Sequence, residues 1–410
     1  MLLHWERARA IMREHELDAL VATSPENVTY ATGYGNWTIY TFRDQEVYGV
    51  VPAEGPIALV VPIDAMDYLA QVPADAANLY TYGTFYTARD PHATLTGEEA
   101  KLFELRERTG HYPDAIAGLR QALADADAGR TLGVDERGMP PARWRRLAAE
   151  LSNRTIVEAH GVFRAVRMVK TEDEIARLRA TAAAVEQAML AAFAAAAPGV
   201  TEAAMEQIFR ETAVARGATP GHYETTAGTR SAGSFPASAA CRLKAGDVIR
   251  ADVGGRRLGY WADTGRTAAL GIPPARLLRY HEALRRGIDA ILRLVRPGAR
   301  AGELFRAGME TVRDAGIARY ERHHVGHAIG LEFYEAPILN DAAGPGGSEA
   351  RLEDGMVINV ELPYYELGLG GLQIEDTLVV RPGGYELLTA APRTMLPAGA
   401  PVASTAKAPQ

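Results

Sequence analysis

Apolar positions recur at helical spacing at the start of the chain, where Trp5, Ala8, Ile11 and Met12 share one face of an amphipathic helix over residues 4–16. The next segment, LDALVAT (17–23), is almost continuously apolar and reads as a buried strand. Ser24-Pro25 then starts a helix, with Ser as N-cap and Pro at the first helical position, where a missing N–H costs nothing. VYGVVP and IALVVP, within residues 47–62, are two more strands joined by a short EGP turn. LGVDE and TIVEA continue the strand–helix alternation to about residue 160, so residues 1–165 read as an α/β domain.

The texture then changes. Residues 167–196 form a long Ala-rich helix, with Thr171 as cap and Glu174 completing a capping box. Beyond it lies an internal duplication. Pro198-Gly199 opens a helix that contains Met205 and ends at Gly217; Pro297-Gly298 opens another that contains Leu304 and ends at Gly316, a uniform shift of 99. Each helix leads toward a strand, Gly246-Asp247-Val248-Ile249 running to Asp252 and Gly355-Met356-Val357-Ile358 running to Glu361. In both, the acid falls six residues after the glycine. Two such halves facing each other would bring the acids together across a pseudo-twofold axis. The second domain is expected over 166–395, and residues 396–410, poor in bulky apolar side chains, are expected to be disordered.

With 410 residues, 47% of them hydrophobic, the chain has material for two or three domain cores. Its net charge of −7 argues against nucleic acid or anionic membrane as partner, since phosphate neutralisation needs clustered Lys and Arg. Cys241 is the sole cysteine, which excludes an internal disulfide. No stretch has signal-peptide or membrane-span character, and a cytoplasmic protein is expected.

The candidate chemistry centres on HHVGHAIGLEFYE (323–335) and on four acids in or beside short aliphatic runs: Asp252, Asp263, Glu361 and Glu375. Each acid alone is more simply a surface carboxylate, and His327 alone a histidine near a turn. Together they make an oxygen-and-imidazole donor set without sulfur, suited to Mn²⁺, Co²⁺, Fe²⁺ or Zn²⁺. Four carboxylates crowded without cations would repel, and some would take up protons.

These segments resemble the pita-bread metallohydrolases, the family of methionine aminopeptidase, aminopeptidase P, prolidase and creatinase. The eleven-residue step from Asp252 to Asp263, GYWADTGRT (259–267), GHAIGLEFYEAP (326–337), VINVELP with Glu361 and QIEDT with Glu375 match the family's ligand motifs. The first 160 residues resemble the N-terminal domain of the creatinase, prolidase and aminopeptidase P branch. The resemblance implies an α/β N-terminal domain followed by an α+β pita-bread domain, a pseudo-twofold duplicated, curved antiparallel sheet with helices outside. It implies two divalent metal ions, Mn or Co ahead of Zn or Fe, held by Asp252, Asp263, His327, Glu361 and Glu375. It implies cleavage of an amide bond in a small peptide or small amide by metal-bound hydroxide, with Glu361 taking the proton and His323 contacting substrate. A homodimer is implied as well.

Three positions depart from the family's pattern besides Gly265, which stands where a Thr is usual. Phe235 and Tyr334 stand where substrate histidines are usual, and Gln373 where an Arg is usual. Phe235 is then expected as a hydrophobic wall of the substrate site and Tyr334 as a hydroxyl donor in it. An Xaa-Pro dipeptidase or aminopeptidase P-like enzyme is the leading expectation. Creatinase-like hydrolysis of a small non-peptide C–N bond and a non-catalytic binding module are the alternatives.

Overall fold

The computed structural model describes residues 1–400 apart from Arg43, Pro73 and Pro345. It divides into two compact units, Met1–Arg167 and Met168–Gln410; the division expected from sequence lay at 165.

The first unit is built on seven strands, β1 (Ala19–Ala22), β2 (Tyr48–Pro52), β3 (Ala58–Pro62), β4 (Asn78–Tyr82), β5 (Gly110–Tyr112), β6 (Thr131–Val134) and β7 (Thr155–Glu158). Their order is β5-β4-β3-β2-β1-β6-β7. β2 runs antiparallel to β1 and β3, and the other neighbours are parallel. Every residue of β1, β2 and β3 is buried. The continuous apolar runs are explained by that, since a sheet with a mostly parallel build is covered on both faces. The first helix is Trp5–Glu14, burying Ala8 and Met12, with the Arg9 guanidinium over the Trp5 ring. Ser24 caps the helix Pro25–Thr32 through the Asn27 N–H, with Pro25 in its first turn.

The second unit carries β8 (Thr219–Ala227), β9 (Val248–Arg257), β10 (Tyr260–Ala269), β11 (Gly326–Ala328), β12 (Glu335–Ile338), β13 (Val357–Glu361), β14 (Tyr364–Glu366), β15 (Gly370–Leu372), β16 (Glu375–Arg381), β17 (Gly384–Leu387) and β18 (Leu396–Pro397). The main path is β12-β11-β13-β16-β10-β9-β8, antiparallel throughout, with β17 on β16 and β18 parallel to β10. β14 and β15 pair separately. Among the described residues four α-helices, Glu172–Ala194, Glu202–Ala215, Ala275–Leu294 and Ala301–Asp314, and a short 3-10 turn, Gly228–Ala232, accompany the sheet. The Thr171–Glu174 capping box closes the first of them, each residue's side chain accepting the other's N–H. The core is formed where Leu284, Ile288 and Ile291 of one helix and Leu304 and Val312 of another meet Ile358, Val360 and Leu378 of the sheet.

The duplication is visible in the backbone. Gly199 and Gly298 have φ of 90° and 88°, and Gly246 and Gly355 have 90° and 85°, left-handed values that favour glycine. The bridge Thr201–Arg242 in one half is matched by Arg300–Arg351 in the other. Here the sequence reading needs one correction. The Pro-Gly pairs lie in a turn before each helix instead of opening it, because the glycine's left-handed conformation cannot continue a right-handed helix; Thr201 and Arg300 are the caps. The expected disordered tail also needs correcting at its start. Leu396 and Pro397 pair with Ala268 and Ala269, and Ala398 and Gly399 donate to backbone carbonyls, so backbone pairing outweighs the lack of bulky side chains. Residues 401–410 lie outside the described residues.

Candidate metal centre

One candidate acid or histidine comes from each of five neighbouring strands: Asp252 from β9, Asp263 from β10, Glu375 from β16, Glu361 from β13 and His327 from β11. Register explains the convergence. Gly265 stands opposite both Asp252 and Glu375, and Glu375 stands opposite Glu361. Residues opposite one another project to the same face, as do residues two apart on one strand, so Asp263 joins Asp252, Glu375 and Glu361. All of them except His327 line one cavity of about 570 Å³, together with His222, Glu224, Ser234, Trp261, Arg322, His323, His324, Phe333, Tyr334 and Tyr365.

Among the described residues, two sets of three donor groups lie close enough to hold an ion: His222, Asp252 and Asp263, and Asp263, His327 and Glu375. His327 Nε2 is 3.6 Å from Asp263 Oδ2. Its Nδ1 donates to the Ala328 carbonyl at 3.0 Å, which turns the lone-pair nitrogen toward the acids. Glu375 accepts from Asn359 Nδ2 at 2.9 Å and from Gln373 Nε2 at 3.4 Å. Glu361 faces His324 Nδ1 at 3.1 Å and Arg322 at 3.5 Å, and stands in neither three-residue set.

Asp263 Oδ1 and His327 Nε2 are buried without a hydrogen-bond partner of good geometry, which is costly unless something else satisfies them. A divalent cation does so, and an oxygen-and-imidazole donor set fits one. The electrostatics agree. Burial, reinforced by Asp252 and Asp263 and opposed by Arg322, raises the Glu361 carboxyl to about 7. Burial and the neighbouring acids raise Glu375 well above the carboxylate range. Burial would lower His222, but the close approach of the Asp252 and Asp263 carboxylates overrides it and pulls the imidazole up to about 10. So many carboxylates stay ionised side by side only when positive charge sits among them.

The other sequence candidates are placed unequally. His323 is exposed at the rim. Tyr334 lines the cavity and stacks on His327, centroids 3.8 Å apart and planes 18° from parallel. Phe235 is a correction: it does not line the cavity, being 44% exposed with the Arg230 guanidinium 5.0 Å over its ring. Arg230 is itself anchored to Glu202, so the loop turns Phe235 outward and presents Ser234 instead.

Three site residues escaped sequence reasoning: Arg322, Asn359 and Arg250, whose guanidinium lies 3.8 Å from Asp252 Oδ2. Sequence reasoning assigns His324 no role, and reads His222 only as a polar group that could stand in for the missing substrate histidines. A signal existed for one of the three. Asn359 lies two residues before Glu361 on β13, so period-two alternation alone puts it on the same face. Arg322 and His324 lie in a loop outside any strand, where no period applies.

Comparison with known proteins decides the family. Metallopeptidase family M24 matches residues 176–382, and the Creatinase/Prolidase N-terminal domain matches residues 4–169. The chain belongs to metallopeptidase family M24. Membership makes it a metal-dependent hydrolase of amide bonds, with divalent ions as the metal. Among curated relatives, an Xaa-Pro dipeptidase of Lactobacillus delbrueckii subsp. lactis is 25% identical over 388 residues, 92% of this chain and 94% of that protein. The probable dipeptidase PepE of Mycobacterium tuberculosis is 30% identical over 246 residues, 58% of this chain and 63% of that one. Among solved structures, dipeptidase PepE from Mycobacterium ulcerans superposes with a TM-score of 0.72 at 26% identity, covering 96% of each chain. An Xaa-Pro dipeptidase from Bacillus anthracis gives 0.77 at 20% identity, covering 96% of this chain and 98% of that one, a likeness of fold. The pita-bread architecture and creatinase-type N-terminal domain expected from the motifs are therefore present. No helix among the described residues is long and apolar enough to cross a membrane.

Proposed function

We propose that this chain is an Xaa-Pro dipeptidase that holds two divalent ions between Asp252, Asp263, His327, Glu361 and Glu375. The observation that carries the reading is the pair of buried, unpartnered donor atoms, Asp263 Oδ1 and His327 Nε2, in a cavity walled by carboxylates. The names of the dipeptidase relatives support the substrate class, and about 570 Å³ is a volume suited to a small ligand.

Two bound ions would supply a Lewis acid for the scissile carbonyl and acidify a water toward neutral pH. The side chains do the rest. Glu361, on the cavity wall beside Arg322 and His324, takes the proton of the attacking water and delivers it to the leaving nitrogen. Burial and the Arg322 charge hold His323 below the ordinary imidazole range, so at pH 7 it is neutral and donates one N–H at the rim. Burial and the nearby acids keep the Tyr334 hydroxyl protonated, a donor over the face of His327. Arg322, on the cavity wall, suits the free carboxylate of a dipeptide.

Protein supplied with Mn²⁺ or Co²⁺ should hydrolyse a panel of Xaa-Pro dipeptides, and Asp263→Asn or His327→Ala should abolish turnover and weaken metal binding together. Absence of turnover in protein shown to hold two ions per chain removes the dipeptidase reading. Hydrolysis of a small non-peptide C–N bond is the second reading, motivated by Phe235 and Tyr334 standing where substrate histidines are usual. Turnover that survives exhaustive chelation would support it.

A further inference from the structure

The two halves of the second unit contribute unequally to the five-residue set. The second half gives His327, Glu361 and Glu375, one from each of β11, β13 and β16. The first half gives only Asp252 and Asp263, from β9 and β10. The strand that flanks β9, as β11 flanks β13, is β8, and β8 carries His222.

His222 is built into the site. The register of β8 on β9 slips between Pro220 and Tyr223, so Gly221 and His222 together oppose Gly254; a bulge of this kind re-aims a side chain. Gly254 makes the room, because a Cβ there would stand 2.5 Å from His222 Cε1 and 2.6 Å from Nδ1. The Phe333 ring meets the imidazole edge-on at 5.0 Å and 82° and closes the far side. What results is a nitrogen 3.1 Å from Asp252 Oδ1 and 3.2 Å from Asp263 Oδ1.

One N–H cannot serve both carboxylates, and only the contact to Asp252 has hydrogen-bond geometry. The near-equal separations suit a different arrangement. Donors held by one ion at about 2.1 Å stand about 3.0 Å apart at right angles and about 3.4 Å apart at tetrahedral angles, and the two separations fall between these. The unpartnered Asp263 Oδ1, buried and 3.2 Å from the same nitrogen, is a second observation that fits a cation between them.

We propose that His222 is a sixth metal ligand, the first half's counterpart of His327, so that each half gives one imidazole and two carboxylates. The inference rests on the two-ion reading above. Its chemical consequence is a centre with one imidazole for each ion, which favours Co²⁺, Zn²⁺ or Fe²⁺ over Mn²⁺ more than a single-histidine site would.

The test is Co²⁺ titration of the metal-free full-length protein, followed by calorimetry, visible absorption and X-ray absorption counting of imidazoles. Parent protein should bind two Co²⁺ with an average of one imidazole each. His222→Ala should weaken one site by about 100-fold or more, since even outer partners of a ligand are worth 10–100-fold, and should halve the imidazole count. His222→Gln, closer in size, should give the same loss of affinity and of imidazole count in protein whose circular dichroism matches the parent's, which separates ligation from folding. If both variants bind two Co²⁺ with parental affinity and spectrum, His222 is only a countercharge to the two acids and the proposal is overturned while the two-ion reading stands. If the parent binds no Co²⁺, both are overturned.

Discussion

Gly265→Ala is expected to damage the centre without touching a ligand. Gly265 lies in β10 between Asp252 on one neighbour and Glu375 on the other, so any side chain there projects into the acid cluster. That space is occupied. A Cβ at 265 would stand 2.2 Å from Gln373 Cγ and 3.0 Å from its Cδ. Gln373 is completely buried, and the atom struck is near the root of the side chain, so no rotation of its tip relieves the clash. Overpacking of this kind costs about 2 kcal/mol, which lowers the melting temperature of a unit this size by roughly 4–8 °C. Displacing Gln373 also withdraws its Nε2 from Glu375, so metal affinity should fall about tenfold or more. The assay is a double-mutant cycle by thermal melting and metal titration, comparing Gly265→Ala, Gln373→Ala and the pair. The second change removes the obstructing atoms, so the pair should recover about 1 kcal/mol relative to the sum of the singles. If Gly265→Ala melts with the parent, or costs the same with Gln373 truncated, the reasoning fails. The glycine and the glutamine, each a departure from the family's pattern, are on this account one change made in two places.

Three further outcomes are expected. Lys170 Nζ lies 2.8 Å from Glu335 Oε2 with both side chains almost fully buried; Lys170→Met removes the neutralising charge and should cost about 3–5 kcal/mol, and a melting shift under 2 °C would count against it. In the first unit Asp135 gathers hydrogen bonds from His160, Ser24 and Asn27, which together override burial and hold its carboxyl at about 2. A depressed carboxyl stabilises above its unfolded pKa near 3.9, so about 2 kcal/mol should be present at pH 7 and lost as pH falls from about 4 to about 2. Asp135→Asn should be less stable at pH 7 and show a flatter acid profile, and denaturant melts with parallel profiles would refute this. Exhaustive chelation should lower the melting temperature of the second unit reversibly, because an ion at a hundred times its dissociation constant stabilises by about 2.7 kcal/mol; melting that ignores chelator and added Co²⁺ alike would exclude a metal at this site.

What the sequence determined is local or periodic. The Thr171–Glu174 box, the Ser24 cap and the strand runs are set by residues within a few positions of each other, where spacing alone fixes geometry. The five metal candidates were legible because each sits in or beside an aliphatic strand and the two acids Asp252 and Glu361 repeat the same distance from a glycine. What only the tertiary structure decided depends on register between strands far apart in the chain. That Gln373 fills the space over Gly265 and that a bulge carries His222 to the acids follow from cross-strand neighbours, and a one-residue slip would undo both. That Phe235 turns away while Ser234 faces in is decided in a loop held by the Arg230–Glu202 pair, and no local pattern encodes it.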